Sequence, residues 1–238
     1  MKNLLLMLMI PVFSTAQNEK VTSNGTVRDF GGNPIDSANV LILDESFRQP
    51  LYQAVSDENG HYSLDVEKGS YYGMAVVNMN HYGKSRLEYW AWNVPAKEDI
   101  QINPRYDKME VYALNAFRPQ GAYPSYFIYF RPMSLSKSKE KKQSGNKTMK
   151  ISPDLEKSEI NVEINGEKVE IFSVQKVREY VETRKGHADY MYGYLLQTAL
   201  PGQMKAKYQK FRVALKDEET GDKGEAIYFL NEPHYNQK

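Results

Sequence analysis

Cysteine is absent from this 238-residue chain. That excludes a disulfide framework, a thiol nucleophile, thiolate zinc sites and the lipidated cysteine that tethers a bacterial lipoprotein. Charge imbalance is missing too, with 31 basic against 30 acidic residues, so a nucleic acid or another polyanion is not the expected partner of the whole chain. No Gly-x-Ser-x-Gly elbow, phosphate-cradling glycine loop, dinucleotide fingerprint or His-Glu-x-x-His motif occurs. The four histidines, His61, His81, His187 and His234, stand far apart without metal-ligand spacing. Asp57-x-Asn59-Gly60 opens like a calcium loop but lacks the downstream acids, and reads as a turn. The expectation is therefore no catalytic residues, no metal, no cofactor and no enzymatic activity. Carboxylates are plentiful, however, and a pair brought together only by folding leaves no local signature.

Long apolar runs are scarce. The longest, Leu4 to Phe13, follows Lys2 and precedes Ser14-Thr15-Ala16, the layout of a secretory signal peptide cleaved after Ala16. It is too short to span a hydrocarbon core about 30 Å thick, which takes roughly 20 helical residues. With a mean hydropathy of −0.65, the remainder predicts no transmembrane span after cleavage. Export to the periplasm or the cell surface follows, with 1–16 as leader and attachment only through a partner.

What remains is β patterning. From Gly25 to about Arg105, short β-type runs alternate with turn signals at sandwich spacing. Gly31-Gly32-Asn33-Pro34 makes one turn and Asp57-Glu58-Asn59-Gly60 another, because Asp and Asn bond their own backbone and Gly accepts positive φ. Val40 to Leu43 reads as a buried strand. His61 to Val66 alternates, with Tyr62, Leu64 and Val66 on one face, as a half-buried strand requires.

A second all-β region begins near Met109, with strands over Val111 to Phe117 and Tyr126 to Phe130. Asn165-Gly166 is the favoured pair for a two-residue hairpin turn. That register sets Ile164 against Glu167, Glu163 against Lys168, Val162 against Val169 and Ile160 against Ile171, with the apolar pairs sharing a face. Val174, Val177, Tyr180 and Val181 follow helical spacing more closely than strand spacing and leave 173–186 undecided. Tyr190 to Leu200 returns to strand patterning, and Phe211 to Leu215 with Ile227 to Leu230 flank a polar turn. Residues 136–150 hold six lysines against Glu140 and read as a solvated loop.

Two motifs carry a family resemblance. Gly25-Thr26-Val27-Arg28-Asp29-Phe30-Gly31-Gly32-Asn33-Pro34 through Val40, then Ser56-Asp57-Glu58-Asn59-Gly60-His61-Tyr62-Ser63-Leu64-Asp65-Val66, resemble the carboxypeptidase regulatory-like family. The resemblance covers about residues 20–104 and implies a transthyretin-like seven-stranded β-sandwich without an active site. Neither a carboxypeptidase catalytic domain nor a transporter barrel accompanies it. Residues 106–235 look like a second, immunoglobulin-like β-sandwich, joined by a short, stiff connection at Asn103-Pro104-Arg105. The leader resembles those of Bacteroidetes-type bacteria, and Asp36-Ser37-Ala38 resembles their O-glycosylation acceptor, although a turn into a strand is the better reading of it.

The aromatic content offers a candidate surface. In Tyr89-Trp90-Ala91-Trp92, period-two alternation puts the two indoles on one strand face and Tyr89 on the other. Such a stripe either stacks on sugar rings or anchors a protein interface, or else fills the core or the seam between the two halves. Tyr71, Tyr72 and Tyr82 extend it if folding brings them near. The candidate ligand or partner residues are thus Trp90, Trp92, Tyr89 and Tyr72. The expected role is a secreted non-catalytic accessory protein binding polysaccharide, or alternatively a structural protein contacting other envelope proteins.

Overall fold

The computed structural model describes residues 18–119, 124–144, 151–184, 187–204 and 207–231. The expected leader, residues 145–150 of the lysine-rich stretch and His234 lie outside them. The protein is all-β apart from one α-helix and one short 3₁₀ turn among the described residues. Seven strands fill the first half: β1 (Lys20–Thr26), β2 (Asn39–Leu43), β3 (Pro50–Val55), β4 (His61–Glu67), β5 (Gly69–Val77), β6 (Tyr89–Ala96) and β7 (Ile100–Gln101). The second half carries β8 (Met109–Phe117), β9 (Tyr126–Ser134), α1 (Leu135–Ser144), β10 (Ser158–Ile164) and β11 (Glu167–Lys168). It closes with β12 (Ile171–Arg184), β13 (His187–Thr198), β14 (Gln209–Asp217) and β15 (Lys223–Leu230).

Turn chemistry sets the local register. Asp29 Oδ1 accepts from the Gly31 and Asn33 amides at 2.9 Å each, and Gly32 sits at φ 85°. Asp57 Oδ1 likewise accepts from the Asn59 and His61 amides, with Gly60 at φ 77°. Asn165 and Gly166 are both left-handed, at φ 57° and 87°, as a type I′ hairpin demands. Ile164 then pairs with Glu167 and Glu163 with Lys168, and the Val169 amide donates to Val162 O at 3.0 Å. The ladder stops there, because the chain leaves for another sheet. Ile160 pairs with Leu215 of β14 instead of Ile171, a correction to the four-rung hairpin.

Strand pairing crosses the boundary expected near residue 105. One eight-stranded sheet runs β11-β10-β14-β15-β6-β5-β2-β3, and its halves join where β15 lies parallel to β6. Ala226, Ile227 and Tyr228 face Trp90, Ala91 and Trp92 there. Smaller sheets, β4-β1-β7 and β12-β13-β9-β8, complete the fold. The join is buried on both faces: Ile227 and Phe229 belong to the core with Val66, Met74 and Tyr89, whereas Ala226 packs in the core with Phe130, Phe211 and Trp90. The two small sheets therefore cover opposite faces of the shared sheet.

Two segments depart from the sequence reading. Residues 171–184 form β12, paired throughout with β13; the helical spacing of Val174, Val177 and Tyr180 is coincidental, since the first and last of these are exposed on an edge strand. Residues 135–144 are helical rather than a loop. Ser134 Oγ accepts from the Lys137 amide at 3.1 Å, and Asp222, from the β14–β15 turn, accepts from the Ser136 amide at 3.0 Å. The local cap Ser134 and the distant one, Asp222, together supply what the segment's own apolar content does not. Lys137 pairs with Asp217 and Glu219.

Gly224 lets β15 approach β8, since a Cβ there would sit 2.1 Å from Met109 O. Gly224→Ala must push the backbones apart and is expected to cost about 1–3 kcal/mol, lowering Tm by roughly 2–4 °C per kcal/mol. Gly69→Ala, whose Cβ meets nothing nearer than 3.8 Å, is the control. Equal melting of the two variants by calorimetry would refute the tight seam.

Candidate functional site

Trp90 and Trp92 share one face of β6, as alternation predicts, with Gly73 of β5 opposite Trp92. The indoles stack with centroids 4.7 Å apart and planes 13° from parallel. They do not form an exposed stripe. Trp90 is 6% and Trp92 5% exposed, and Tyr89, on the opposite face, is fully buried in the first core. Phe47, Tyr72 and Tyr112 close over them edge-on, Tyr112 at 5.3 Å from both rings. The reason is the β15–β6 join, which brings the second half onto this face. Only Tyr72, 49% exposed, remains at the surface as expected. Tyr71 leans on the first core, and Tyr82 lies apart in the β5–β6 connection.

Beside the stack, the halves leave a cleft of about 530 Å³. Tyr72 and Trp92 reach it from the first half; Tyr112, Tyr129 and Tyr228 reach it from the second. Its polar groups are Asn93, Asn115 and the ion pair Arg131–Glu179, in which Arg131 Nε stands 3.4 Å from Glu179 Oε2. The Tyr129 hydroxyl donates to the other Glu179 oxygen, and Arg131 lies over the Tyr112 ring at 5.2 Å. Burial first, then Glu179, pushes the Tyr129 phenol upward. The Trp92 indole N–H is buried with no acceptor among the described residues.

The cleft backbone is strained. Asn93 at φ 54° and Ala113 at φ 52° both line it, in a region that costs a non-glycine residue about 1–3 kcal/mol. Asn93 shifts the phase of β6, so that Val94 and Ala96 join Tyr89 and Ala91 in the first core. Its side chain donates to Phe229 O at 2.5 Å, locking β6 to β15. Ala113 lies in the β8 bulge between Tyr112 and Asn115. No short sequence pattern marks these two positions, and the cleft is not legible without the long-range pairing.

Folding also makes a carboxyl pair that local motifs could not announce. Trp90 Nε1 donates to both Glu88 Oε1 and Glu110 Oε1 at 3.0 Å. Glu110, on β8, is 3% exposed. Burial first, and then the Glu88 charge, holds its carboxyl well above the usual carboxylate range, and burial also raises Glu88. Two carboxyls on one indole disfavour ionisation of both at once. Neither lines the cleft, so the pair reads as structure rather than as an acid–base device.

The other candidates fall where turns were expected. His61 is exposed beside Asp57, and His81 Nδ1 lies 3.0 Å from Ser85 Oγ. His187 is on β13, with its side chain outside the described set. Ser37 is an exposed left-handed turn residue leading into β2. No group of three or more His, Asp or Glu able to hold a metal occurs among the described residues, nor does any helix long and apolar enough to cross a membrane.

Comparison with known proteins gives no family: no family profile matches the sequence, and neither does any curated protein. Among solved structures, the major pilin subunit BcpA of Bacillus cereus (D312A variant) is 8% identical at a TM-score of 0.29, over 90% of this chain and 69% of that one. A candidate carbohydrate-binding protein from Bacteroides uniformis is 12% identical at 0.29, over 89% and 99%. The major pilin SpaD of Corynebacterium diphtheriae is 8% identical at 0.25, over 88% and 64%. Overlaps this loose carry no functional argument.

The carboxyl pair has a consequence for stability against pH. A folded-state carboxyl raised above its usual 4.5 stabilises fully below the unfolded value, and that contribution is lost as pH rises through the folded value. Glu110→Gln removes the ionisable partner and keeps an isosteric amide. The Tm of the variant relative to the native protein should therefore climb as pH goes from 4 to 8. A Tm difference independent of pH in that range would show that the Glu110 carboxyl is not raised.

Proposed function

We propose that this chain is an exported, non-catalytic binding protein whose cleft takes a segment of a polysaccharide. The carrying observation is the convergence of four tyrosines and the edge of Trp92, from both halves of the chain, on one cleft that also holds two asparagines and an arginine–glutamate pair. A sugar ring has an apolar C–H face that packs on aromatic faces and a rim of hydroxyls that needs neutral and charged hydrogen-bonding groups in fixed places. Asn93 is held by Phe229 and Arg131 by Glu179, so these groups are preorganised and little ordering is left to binding. The leader-like residues 1–16 support export to the periplasm or cell surface. The seven strands and their two Asp–Gly turns support a carboxypeptidase regulatory-like module in the first half.

A second reading has its own observation. β12 is a fourteen-residue edge strand, paired among the described residues with β13 alone, and carries Val174 and Tyr180 at 46% and 59% exposure. Such an edge can accept a strand from another protein, which fits an assembly role in the envelope.

Titration with a panel of soluble polysaccharides, followed by tryptophan emission, tests the first reading, since Trp92 borders the cleft and both indoles touch each other. One glycan should give a saturable shift, and Tyr72→Ala and Tyr228→Ala should each weaken it by about tenfold, the scale of a typical aromatic contact. Absence of any shift, together with self- or partner association abolished by Val174→Lys, would transfer the function to the β12 edge.

A further inference from the structure

We propose that a second pocket, lined by Arg28, Arg105 and Arg212, receives an oxyanion: a carboxylate, sulfate or phosphate group. The pocket, about 300 Å³, opens where the Asn103-Pro104-Arg105 connection passes between β1 and the β14–β15 hairpin. It is separate from the aromatic cleft and shares no residue with it, so it stands independently of the glycan reading.

Its frame is a pair of guanidinium forks on one carboxylate oxygen. Arg105 donates to Glu225 Oε2 through Nη2 at 2.7 Å and Nε at 3.2 Å; Arg212 donates to the same oxygen through Nη2 at 2.5 Å and Nε at 3.1 Å. The Glu225 side chain is only 6% exposed, which fixes both forks. Arg212 spends its remaining nitrogen on Glu163, at 2.7 Å. Arg105 also lies over the Phe30 ring at 4.6 Å, which orients its plane.

Charge and donor counts then favour an anion. Three guanidiniums meet two carboxylates, Glu225 in the lining and Glu163 behind Arg212, leaving one positive charge. The surplus sits on Arg28, which is exposed and donates through Nη1 to Gly32 O at 2.8 Å. The other guanidinium nitrogens of Arg28, Nη1 of Arg105 and Nδ2 of Asn103 have no acceptor among the described residues. Asn103 is held in place because its Oδ1 accepts from the Thr26 amide at 3.0 Å. Glu225 Oε1 and the Thr26 hydroxyl are the acceptors in the lining; the other open groups are hydrogen-bond donors around a net positive centre, which is the complement of an oxyanion. The isolated bridge between Arg28 and Arg105 keeps the two side chains on neighbouring backbone.

Isothermal titration of the purified full chain with inorganic phosphate, sodium sulfate and a glucuronate oligosaccharide tests the site. Saturable binding that weakens with added salt, and about tenfold further in Arg28→Gln, supports it. Binding of the inorganic ions assigns a free anion, whereas binding of the oligosaccharide alone assigns the carboxylates of an acidic polysaccharide. Arg28 holds only one surface carbonyl, so the variant should melt with the native protein. Tyr72→Ala should leave this binding intact, and Arg28→Gln should leave the neutral-glycan titration intact, so the two sites fail separately. No saturable heat up to about 10 mM of any ligand, or binding unchanged in both Arg28→Gln and Arg105→Gln, overturns the proposal.

Discussion

The parallel contact between β15 and β6 holds the two halves of this protein to each other. Three residue pairs span it, and around them Asn93 reaches Phe229 O while Gly224 lets β15 sit against Met109. Because the join lies inside a sheet covered on both faces, the strands that make it cannot be half polar. Tyr89, Trp90, Ala91 and Trp92 are all buried, and so are Gly224 to Ile227. A strand buried on both faces draws its stability from apolar area on each side. That is why both tryptophans of the chain lie at the junction and not at the surface.

The same burial explains the polar chemistry around the indoles. An indole N–H taken out of water is costly without an acceptor; Trp90 finds two in Glu88 and Glu110, whereas Trp92 has none among the described residues. One of these glutamates precedes β6 and the other lies on β8, so the bond spans both halves. A single carboxylate would satisfy the donor, and the second, held beside it, raises the Glu110 carboxyl beyond what burial does. The neighbouring Tyr82 and Tyr112 phenols are raised chiefly by burial and further by these two glutamates.

What the sequence disclosed follows the range of each interaction. Turns set locally, by side chains two to four residues away at Asp29 and Asp57 and by left-handed backbone at Asn165-Gly166, form as their residues require. Strands with a clean period of two, such as His61–Glu67, form as well. Contacts across the chain left no trace: nothing near residue 226 announces pairing with residue 90. Without that pairing, a filled core or seam is the better reading of Tyr89-Trp90-Ala91-Trp92, but an exposed sugar-stacking stripe stays open. The helix at 135–144 was hidden for the same reason, because its cap, Asp222, is 86 residues from Ser136. β12 misled in the opposite sense. An edge strand with little buried apolar area has no need to alternate, so its valines fell on a helical spacing by chance.

The cleft is a product of two irregularities set against a regular sheet. Unbroken alternation through β6 would send residue 94 to the same side as the indoles. The left-handed Asn93 turns that position over, so Val94 faces the first core. The β5–β6 ladder skips the Tyr72–Asn93 rung at the same point, which leaves Tyr72 standing over Trp92. On the facing sheet, the bulge at Ala113 sets Tyr112 against both indoles and puts Asn115 on the cleft wall. Straight strands in both places would close the halves together as they do where Ala226 pairs with Trp90. Two strained residues therefore hold open the space in which the aromatic rings and amides converge.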